Sequence, residues 1–393
     1  MQGFKIRLEP NNKQITKLFQ CAGVRRFAYN WTLGRQQENY TLKGTGKNGG
    51  RFINDKDLRK EFTQLKKLDE YKWLNYYSNN ITKQATKDAC DAYTKFFSGK
   101  SKFPKFKSRK KSKPSFYVDT VKIKFTETHV KLEKLTESKK KNKQKFNWIK
   151  LSEKEKVPFG EGVEYLNPRI SFDGLYWYIS VNVKVQKEEK VKLIPEPLGI
   201  DVGIKDLAVC SNGEKYDNIN KTPKIKKLEK RLKRLQRRVS RKYEMNRDGK
   251  KYAKTKNIIK LEAKINKLHK KLTNTRTDYR HKTTTEIVKT KPWRIVVEDL
   301  NVSGMMKNRH LSKSISQQGL HEFHTMLEYK CKKYGIEFIR ADKWYPSSKT
   351  CSECGYIKQK LSLSEREFNC EECGISIDRD LNAAINLSRY KVS

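Results

Sequence analysis

The sequence is 393 residues long, which predicts two to four domains at the usual size of about 100 to 200 residues each. Lys and Arg number 89 against 44 Asp and Glu, and the net charge of +45 favours a nucleic-acid partner over a merely solvated basic surface. Hydrophobic residues make up 35% and aromatic residues 11%, which excludes a wholly disordered chain.

No run of the sequence approaches the 18 apolar residues of a membrane span, and Met1–Glu9 lacks the apolar core of a signal peptide. We therefore expect no membrane partner and a cytoplasmic location. Cysteine usage fits that compartment, because four of the eight cysteines lie far apart in sequence. Cys21, Cys90, Cys210 and Cys331 are expected to be reduced and buried.

The first 115 residues are predicted to be mainly helical after a short strand over Phe4–Leu8. Asn11 or Asn12 is placed to cap the first helix. Aromatic residues recur among basic ones, which suits stacking on unpaired bases, although packing between helices is the alternative. The run Lys100–Lys113 is rich in Lys and Arg and contains Pro and Ser, which predicts an ordered loop on phosphates rather than a helix or a tail.

Hydrophobic residues alternate from Phe116 to Val185, which predicts a β domain closed as a small barrel or sandwich. Asp173-Gly174 separates two alternating runs and predicts a hairpin turn, while Lys139–Lys145 predicts a charged loop. Residues 224–289 return to helical spacing and predict a hairpin of two helices. The basic faces of these helices either are solvated or follow a nucleic-acid backbone.

Acidic residues stand at the ends of three predicted elements far apart in sequence. Asp201 is carried by a short apolar strand over Leu198–Ile204, which is followed by a second strand over Leu207–Cys210 and a turn at Asn212-Gly213. Another apolar strand, Arg294–Val297, ends at Glu298, and Asp378 and Asp380 open a C-terminal helix. Carboxylates at such positions are what a two-metal phosphodiester site needs, with ions about 3.5 to 4 Å apart. Ordinary loop residues and a helix cap are the alternatives.

Four cysteines form the most specific motif of the chain. Cys351, Cys354, Cys370 and Cys373 make two C-x2-C pairs separated by fifteen residues, with a glycine directly after each pair. This spacing is typical of a structural zinc ribbon, and two matched knuckles fit poorly with disulfides or a redox pair in a reducing compartment. Four thiolates complete the tetrahedron, so the ion is expected to have a structural rather than a catalytic role.

The motifs LGIDVGIKDLAV, IVVEDLNV, YPSSKTCSECG and DRDLNAAINL resemble, in order and spacing, the TnpB (OrfB) family of insertion-sequence transposons. The stretch FPKFKSRKKSKPSF also resembles that family. The likeness is dense over residues 198–390. It implies an RNA-guided DNA endonuclease, related to type V CRISPR effectors, that carries a guide RNA from the transposon end and cuts target double-stranded DNA beside a short flanking motif.

The resemblance also implies the site residues. By position, Asp201 matches the first catalytic acid, Glu298 the second and Asp380 the third, and together they would hold two Mg²⁺ ions, one activating water and one stabilising the leaving oxygen. Asp378 is then a helix cap or supports the metal ligands. A guided repressor that does not cut, and a transposase or resolvase that works without a guide, are the alternatives.

The implied fold is multidomain α+β: an RNase H-like (RuvC) α/β nuclease domain with an inserted zinc ribbon, and a wedge-like β-barrel with a helical recognition insertion. A monomer is the expected state. The expected boundaries are 1–10 and 116–190 for the barrel, 11–115 for the recognition helices, 191–343 and 374–393 for the nuclease with its hairpin at about 224–289, and 344–373 for the ribbon.

Overall fold

The computed structural model describes residues 1–41, 52–136, 140, 144–184, 191–249, 251–362 and 365–391. Val185 and most of the predicted loop Lys139–Lys145 lie outside these residues. The chain divides into two compact units, Met1–Gln186 and Lys187–Ser393. In the described parts of the chain, no helix is long and apolar enough to cross a membrane.

A seven-stranded sheet forms one layer of the first unit. Its strands are β1 (Gln2–Glu9), β2 (Ser115–Tyr117), β3 (Lys124–Phe125), β4 (His129–Lys131), β5 (Trp148–Leu151), β6 (Tyr165–Phe172) and β7 (Trp177–Val183). They pair antiparallel in the order β2-β6-β7-β1-β5-β4-β3. The alternation predicted for β7 is confirmed, because Trp177, Ile179, Val181 and Val183 are buried.

The hairpin between β6 and β7 turns at the predicted place. Asp173 Oδ1 accepts hydrogen bonds from the backbone N–H groups of Leu175 and Tyr176, at 3.0 and 2.9 Å. This is an Asx-type turn, in which the side chain takes the place of a backbone acceptor.

The α-helices among the described residues of the first unit are α1 (Asn12–Thr41), α2 (Asp55–Leu65) and α3 (Asn79–Phe97). Asn11 caps α1 through a reciprocal pair of bonds with Gln14. Asn11 Oδ1 accepts from the Gln14 N–H at 2.9 Å, and Gln14 Oε1 accepts from the Asn11 N–H at 3.0 Å. Of the two candidate caps in the sequence, Asn11 is therefore the one used.

The helices and the sheet of this unit share one hydrophobic core. Leu18, Ala28 and Ala85 from the helices belong to the same buried cluster as Ile6 and Ile179 from the strands. The division of the unit into a barrel and a helical insertion stays a prediction. The apolar faces of the helices and of the sheet are buried against each other, so neither the helices nor the sheet forms a separate core.

The basic run Lys100–Lys113 is an ordered loop, as predicted. The Asn30 amide of α1 donates to the Lys107 carbonyl at 2.9 Å and accepts from the Lys107 N–H at 2.8 Å. The Lys107 ammonium lies 3.5 Å from the centroid of the Tyr29 ring. These contacts hold the middle of the loop against α1. The resulting burial lowers the pKa of Lys107 to about 8.

A partly buried ion-pair network ties the helices of this unit to its sheet. Asp88 on α3 accepts from Arg25 on α1 and from both terminal nitrogens of Arg169 on β6, all at 3.0 Å. Burial alone would raise the pKa of Asp88, but hydrogen bonds from Arg169, Gln84 and Arg25 lower it to about 2.

Nine strands lie in the described residues of the second unit. They are β8 (Leu198–Asp201), β9 (Asp206–Cys210), β10 (Lys215–Asp217), β11 (Arg247–Asp248), β12 (Lys251–Tyr252), β13 (Arg294–Glu298), β14 (Glu337–Ala341), β15 (Glu367–Asn369) and β16 (Ser376–Asp378). Five form the central mixed sheet, in the order β10-β9-β8-β13-β14. The strand β9 pairs antiparallel with both β10 and β8, and β13 and β14 run parallel to β8. Gly213 provides the positive φ of the turn before β10, at +87°.

Helices lie on both faces of this sheet. The α-helices described in this unit are α4 (Pro223–Met245), α5 (Lys256–Lys289), α6 (Val302–Met305), α7 (Ser312–Gln318), α8 (Leu320–Tyr334) and α9 (Arg379–Ser388), of which α5, α8 and α9 pack on the sheet. Ile295 and Val297 of β13 pack in one cluster with Ile287 of α5 and Phe323 of α8, whereas Val296 packs on the other face with Leu387 of α9. This is the RNase H-like α/β arrangement expected from the sequence.

The predicted helical hairpin is formed by α4 and α5. Ile225, Leu232, Ile265, Leu268 and Leu272 make a separate apolar seam between these helices. The four scattered cysteines are all buried, as predicted. Burial raises the pKa of Cys90 to about 11 and those of the other three to about 12, which keeps them as thiols.

The last helix lies unusually close to the first strand of the central sheet. A Cβ atom built at Gly199 of β8 would stand 2.0 Å from the Ala384 carbonyl oxygen and 2.4 Å from the Ser388 nitrogen of α9. Both neighbours are backbone atoms, which cannot rotate away. Only glycine at position 199 therefore permits this contact.

We expect Asp88→Asn to lower the free energy of unfolding at pH 7 by about 2 kcal/mol. The folded-state pKa of Asp88 lies below the unfolded value of about 3.9, so its contribution is present above pH 4 and is lost as the pH falls towards 2. Urea unfolding of both proteins at pH 7 and pH 3 should show a difference that shrinks at the lower pH. Asp91→Asn, an exposed position on α3, is the control. Equal stability of wild type and Asp88→Asn at pH 7 would refute the role of the network.

We expect Gly199→Ala to destabilise the second unit by at least about 3 kcal/mol, because the added methyl group forces α9 away from β8. Gly203→Ala is the matched control, four residues further along the same motif, since its Cβ would meet the Asp206 carbonyl oxygen at 3.4 Å and the Lys205 nitrogen at 3.9 Å, which are ordinary contacts. Urea unfolding and hydrogen exchange of α9 measure the effect. Equal protection of α9 in both variants would contradict the close-packing argument.

Candidate active site and metal centre

Two of the three predicted acids lie side by side at one edge of the central sheet. In the parallel pair of β8 and β13, Ile200 stands opposite Val297, so the next residues, Asp201 and Glu298, end neighbouring strands together. Carboxyl ends of parallel strands share one edge of a sheet, where α/β folds commonly place their ligands. The register of two apolar strands thus brings together two acids that are far apart in sequence.

The third acid reaches this edge on α9. The backbone of α9 packs directly against Gly199 of β8, and Asp380 lies in the first turn of that helix. Asp380 is close enough to Asp201 for its charge to raise the Asp201 pKa. The structure therefore brings Asp201, Glu298 and Asp380 close to one another, and their role as metal ligands stays a prediction.

The electrostatics of this place favour a cation. Burial raises the pKa of Asp201 well above its ordinary value, and the negative charges of Glu298 and Asp380 raise it further. Arg379 opposes these effects but does not cancel them. A buried carboxyl whose pKa is raised by neighbouring carboxylates is typical of sites that bind divalent ions, which supply the missing positive charge.

Asp378 has a different environment. Its Oδ1 accepts from the backbone N–H groups of Asp380 and Leu381, at 3.0 and 3.1 Å, which makes it the N-cap of α9. Its Oδ2 accepts from Lys215 at 3.0 Å. Burial would raise the pKa of Asp378, but the bonds from Lys215 and Leu381 lower it. Both oxygens are occupied by protein donors, which fits the predicted role as a cap.

Glu298 is held by a residue that the sequence analysis did not single out. The buried hydroxyl of Ser347 donates to Glu298 Oε1. The Ser347 carbonyl in turn accepts from the Asn386 side chain of α9 at 2.8 Å. One oxygen of Glu298 is therefore fixed in direction, and the helix that carries Asp380 also fixes the segment that orients Glu298.

The same helix holds the segment that leads to the first cysteine pair. Asn382 and Asn386, one turn apart on α9, both donate to the Thr350 carbonyl, at 2.8 and 2.6 Å. Asn382 Oδ1 also accepts from the Ser352 N–H at 2.9 Å. The two asparagines are buried and satisfy backbone groups on either side of Cys351.

The four predicted metal-binding cysteines converge. Their sulfur atoms all lie within 4.8 Å of one another. The Sγ atoms of Cys351 and Cys373 are 3.6 Å apart, and those of Cys354 and Cys370 are 3.5 Å apart. Ligands about 2.3 Å from a tetrahedral zinc ion would be separated by roughly 3.8 Å. The cluster therefore fits one tetrahedral metal ion, and its sulfurs are too far apart for disulfide bonds.

A small ribbon surrounds this cluster. The strands β15 and β16 pair antiparallel, and Thr350 bridges to Ile357 across the first cysteine pair. Phe368 is fully buried beside Cys351 and Cys370. Backbone N–H groups of Cys373 and Glu372 lower the pKa of Cys370 to about 7, whereas the pKa of Cys354 is raised to about 12 by desolvation and by hydrogen bonds to the other thiols. Without a metal ion, Cys370 is therefore the thiol of this pair that ionises first.

The acids are spread more widely than the cysteines. In the described part of the chain, the four cysteines are the one group of three or more possible ligands whose atoms all lie within 4.8 Å. A site for two ions about 3.5 to 4 Å apart needs such a wider spread, whereas a single-ion site does not.

Family models match three parts of the chain. The OrfB model of IS605 elements, described as "Probable transposase", matches residues 180–309, and a model described as "Cas12f1-like, TNB domain" matches residues 321–387. A model described as "Helix-turn-helix domain" matches residues 1–45. In the described residues of that last range, the structure has the strand β1 and the single uninterrupted helix α1.

Two curated relatives match almost the whole chain. A protein of Streptomyces pristinaespiralis named "Putative RNA-guided DNA endonuclease" is 33% identical over 98% of this chain and 88% of its own length. "Putative RNA-guided DNA endonuclease InsQ" of Escherichia coli K12 is 29% identical over 98% of this chain and 91% of its own length.

A solved structure supports the same fold. A Cas12f1 protein, solved by cryo-electron microscopy with sgRNA and target DNA, superposes with a TM-score of 0.59 at 18% identity, covering 96% of this chain and 82% of that one. The order of the motifs, the RNase H-like sheet with its acids and the cysteine ribbon agree with the nearly full-length match to the Streptomyces protein. On these grounds the chain belongs to the TnpB (OrfB) family.

Proposed function

We propose that this protein is an RNA-guided DNA endonuclease that hydrolyses phosphodiester bonds at Asp201, Glu298 and Asp380. The observation that carries the proposal is the gathering of these three acids at one sheet edge, in a chain similar from end to end to relatives named as RNA-guided DNA endonucleases. Since its substrate is cellular DNA, we place the protein in the cytoplasm.

The acids would hold two divalent ions, which we propose are Mg²⁺, because carboxylate oxygens are the hard ligands that Mg²⁺ prefers. When bound, these ions supply an activated water and neutralise charge on the leaving oxygen. The protein would contribute by orienting the carboxylate groups that bind these ions. Ser347 orients one oxygen of Glu298 and leaves the other free for a metal. Asp378, as the N-cap of α9, keeps the first turn of that helix in place, and this turn carries Asp380.

The ion in the cysteine cluster is proposed to be zinc, with a structural role. All four thiolates are used as ligands, which leaves no open position for water or substrate. Two bonds from the α9 asparagines to the Thr350 carbonyl, next to Cys351, link the ribbon to the catalytic helix. We infer that the ribbon holds α9 and Ser347 in register and helps guide a DNA strand to the acids.

The basic face of the helical hairpin is proposed to follow a nucleic-acid backbone. The seam between α4 and α5 is apolar, and the remaining face of α4 carries exposed cations. Contacts of this kind make binding fall steeply with salt. The exposed basic residues of α4 are Lys224, Lys226, Lys227, Lys230, Arg231, Lys233, Arg234, Arg237, Arg238 and Arg241.

A guide-independent transposase is the second candidate, because the family model for residues 180–309 is described as "Probable transposase". The decisive experiment is to purify the protein from cells that carry its natural flanking DNA and to sequence the bound RNA. One dominant RNA species that directs cleavage of a matching duplex supports the guided endonuclease. Cleavage of element ends without any bound RNA supports the transposase instead.

We expect Asp201→Ala to reduce cleavage of a matched duplex at least about 1,000-fold while leaving guide and target binding within about twofold, since the acid holds metal rather than nucleic acid. Asp380→Ala should have the same effect. Asp378→Asn is the informative comparison, because asparagine keeps the capping oxygen and should retain most of the activity. If Asp378→Asn abolishes cleavage and Asp380→Ala does not, the assignment of the third acid is wrong.

We expect Cys354→Ser to lower zinc content below one ion per chain and to reduce cleavage without loss of the first unit's fold, because the ribbon and α9 share hydrogen bonds. Elemental analysis gives the zinc content, and hydrogen exchange of α9 reports the local loosening. Cys90→Ala removes a buried thiol outside the cluster and should change neither quantity. Full cleavage and full zinc content in Cys354→Ser would contradict the ribbon's structural role.

A further inference from the structure

Trp344 is an exposed aromatic residue beside the candidate active site. Its side chain is 80% exposed, although tryptophan usually buries most of its surface. It follows β14 at the edge where that strand ends, three positions after Ala341, which stands opposite Glu298. The indole therefore projects from the same edge of the sheet that carries the acids.

The backbone around Trp344 is held in place. The Trp344 N–H donates to Asp342 Oδ1 at 2.8 Å, and the Asp342 N–H donates to the Tyr390 hydroxyl at 3.2 Å. On the other side, the Tyr345 hydroxyl donates to the Asn386 carbonyl at 3.0 Å. The rings of Tyr345 and Tyr390 meet edge to face, with centroids 4.9 Å apart. An exposed ring on a turn anchored at both ends is available for binding at low entropic cost.

The side chain of Lys343 lies beside the indole ring of Trp344. The Lys343 ammonium lies 4.9 Å from the centroid of the indole. An aromatic face and an adjacent positive charge are what a nucleotide recognises, since its base stacks on the ring while its phosphate meets the cation. An apolar protein or lipid surface would instead call for several neighbouring apolar side chains and no cation.

We propose that Trp344 is a stacking platform for a nucleobase of the single DNA strand that is presented to the acids, with Lys343 beside the phosphate of the same nucleotide. That the ligand is DNA rests on the proposed function. Ser347, three residues after Trp344, bonds to Glu298, so a base held on the indole fixes the position of the strand relative to the metal ligands. Trp344 is a binding and positioning residue.

The test compares two short single strands with the same charge, oligothymidylate and an abasic oligomer of equal length, on the full chain at near-physiological salt. Base stacking should make oligothymidylate bind roughly 5- to 150-fold more tightly than the abasic strand. Trp344→Ala should remove most of this preference, and Trp344→Phe should retain it because phenylalanine still stacks. Quenching of tryptophan emission by oligothymidylate should disappear in Trp344→Phe.

Trp293→Ala is the matched control, since Trp293 is also exposed but precedes β13 at the opposite edge of the same sheet. It should leave the preference for bases unchanged. A preference that survives in Trp344→Ala, or that falls equally in Trp293→Ala, overturns the proposal. Unchanged thermal unfolding and zinc content of Trp344→Ala show that the variant is folded.

The binding measurement is made without divalent ions and does not depend on cleavage. A wild-type protein that shows the Trp344-dependent preference but never cuts a matched duplex supports the stacking site and refutes the endonuclease. A wild-type protein that cuts, together with a Trp344→Ala variant that keeps both the base preference and the cut positions, refutes the stacking site alone.

Discussion

Mutual repulsion among three carboxylates is the constraint on which the second unit depends. Asp201 is partly buried and lies near Glu298 and Asp380, and the negative charges of these two acids make the ionisation of Asp201 less favourable. Only rigid elements hold such a group together: two parallel strands in fixed register and a helix pressed on Gly199. Ions that bind the acids relieve the repulsion. Metal binding should therefore also stabilise this unit, in proportion to the affinity.

The acids contrast with the charge of the rest of the chain. A net charge of +45 attracts polyanions over long distances, and ten exposed basic residues on α4 extend that attraction along one helix. At the sheet edge the sign is reversed, and a phosphate would be repelled without cations between it and the acids. Under the proposed function, binding of nucleic acid would therefore be spread over the basic surface and sensitive to salt, whereas cleavage would be confined to the acids and would depend on metal ions.

Sequence patterns predicted what depends on neighbouring residues and missed what depends on distant ones. The alternation in β7, the Asn11 cap, the α4–α5 seam and the cysteine spacing are local signals, and the structure has all four features. Acids at strand ends could be found because apolar strands frame them. Three features depend on the placement of α9 and β14, which are distant in sequence from β8. They are the contact of α9 with Gly199, the hydrogen bond from Ser347 to Glu298 and the exposure of Trp344. A glycine inside an apolar strand and two asparagines one turn apart were the available signals for that packing.

The contact between Gly199 and α9 has a consequence for biosynthesis. The strand that presents the first acid is made long before the helix that presents the third, and β8 cannot receive α9 until that helix has left the ribosome. During translation, the basic loop, the first sheet and the helical hairpin are completed while the acids are still incomplete. If the protein has the proposed function, a chain interrupted before α9 would carry the basic helical hairpin but lack the third acid, so it would bind nucleic acid without cutting it.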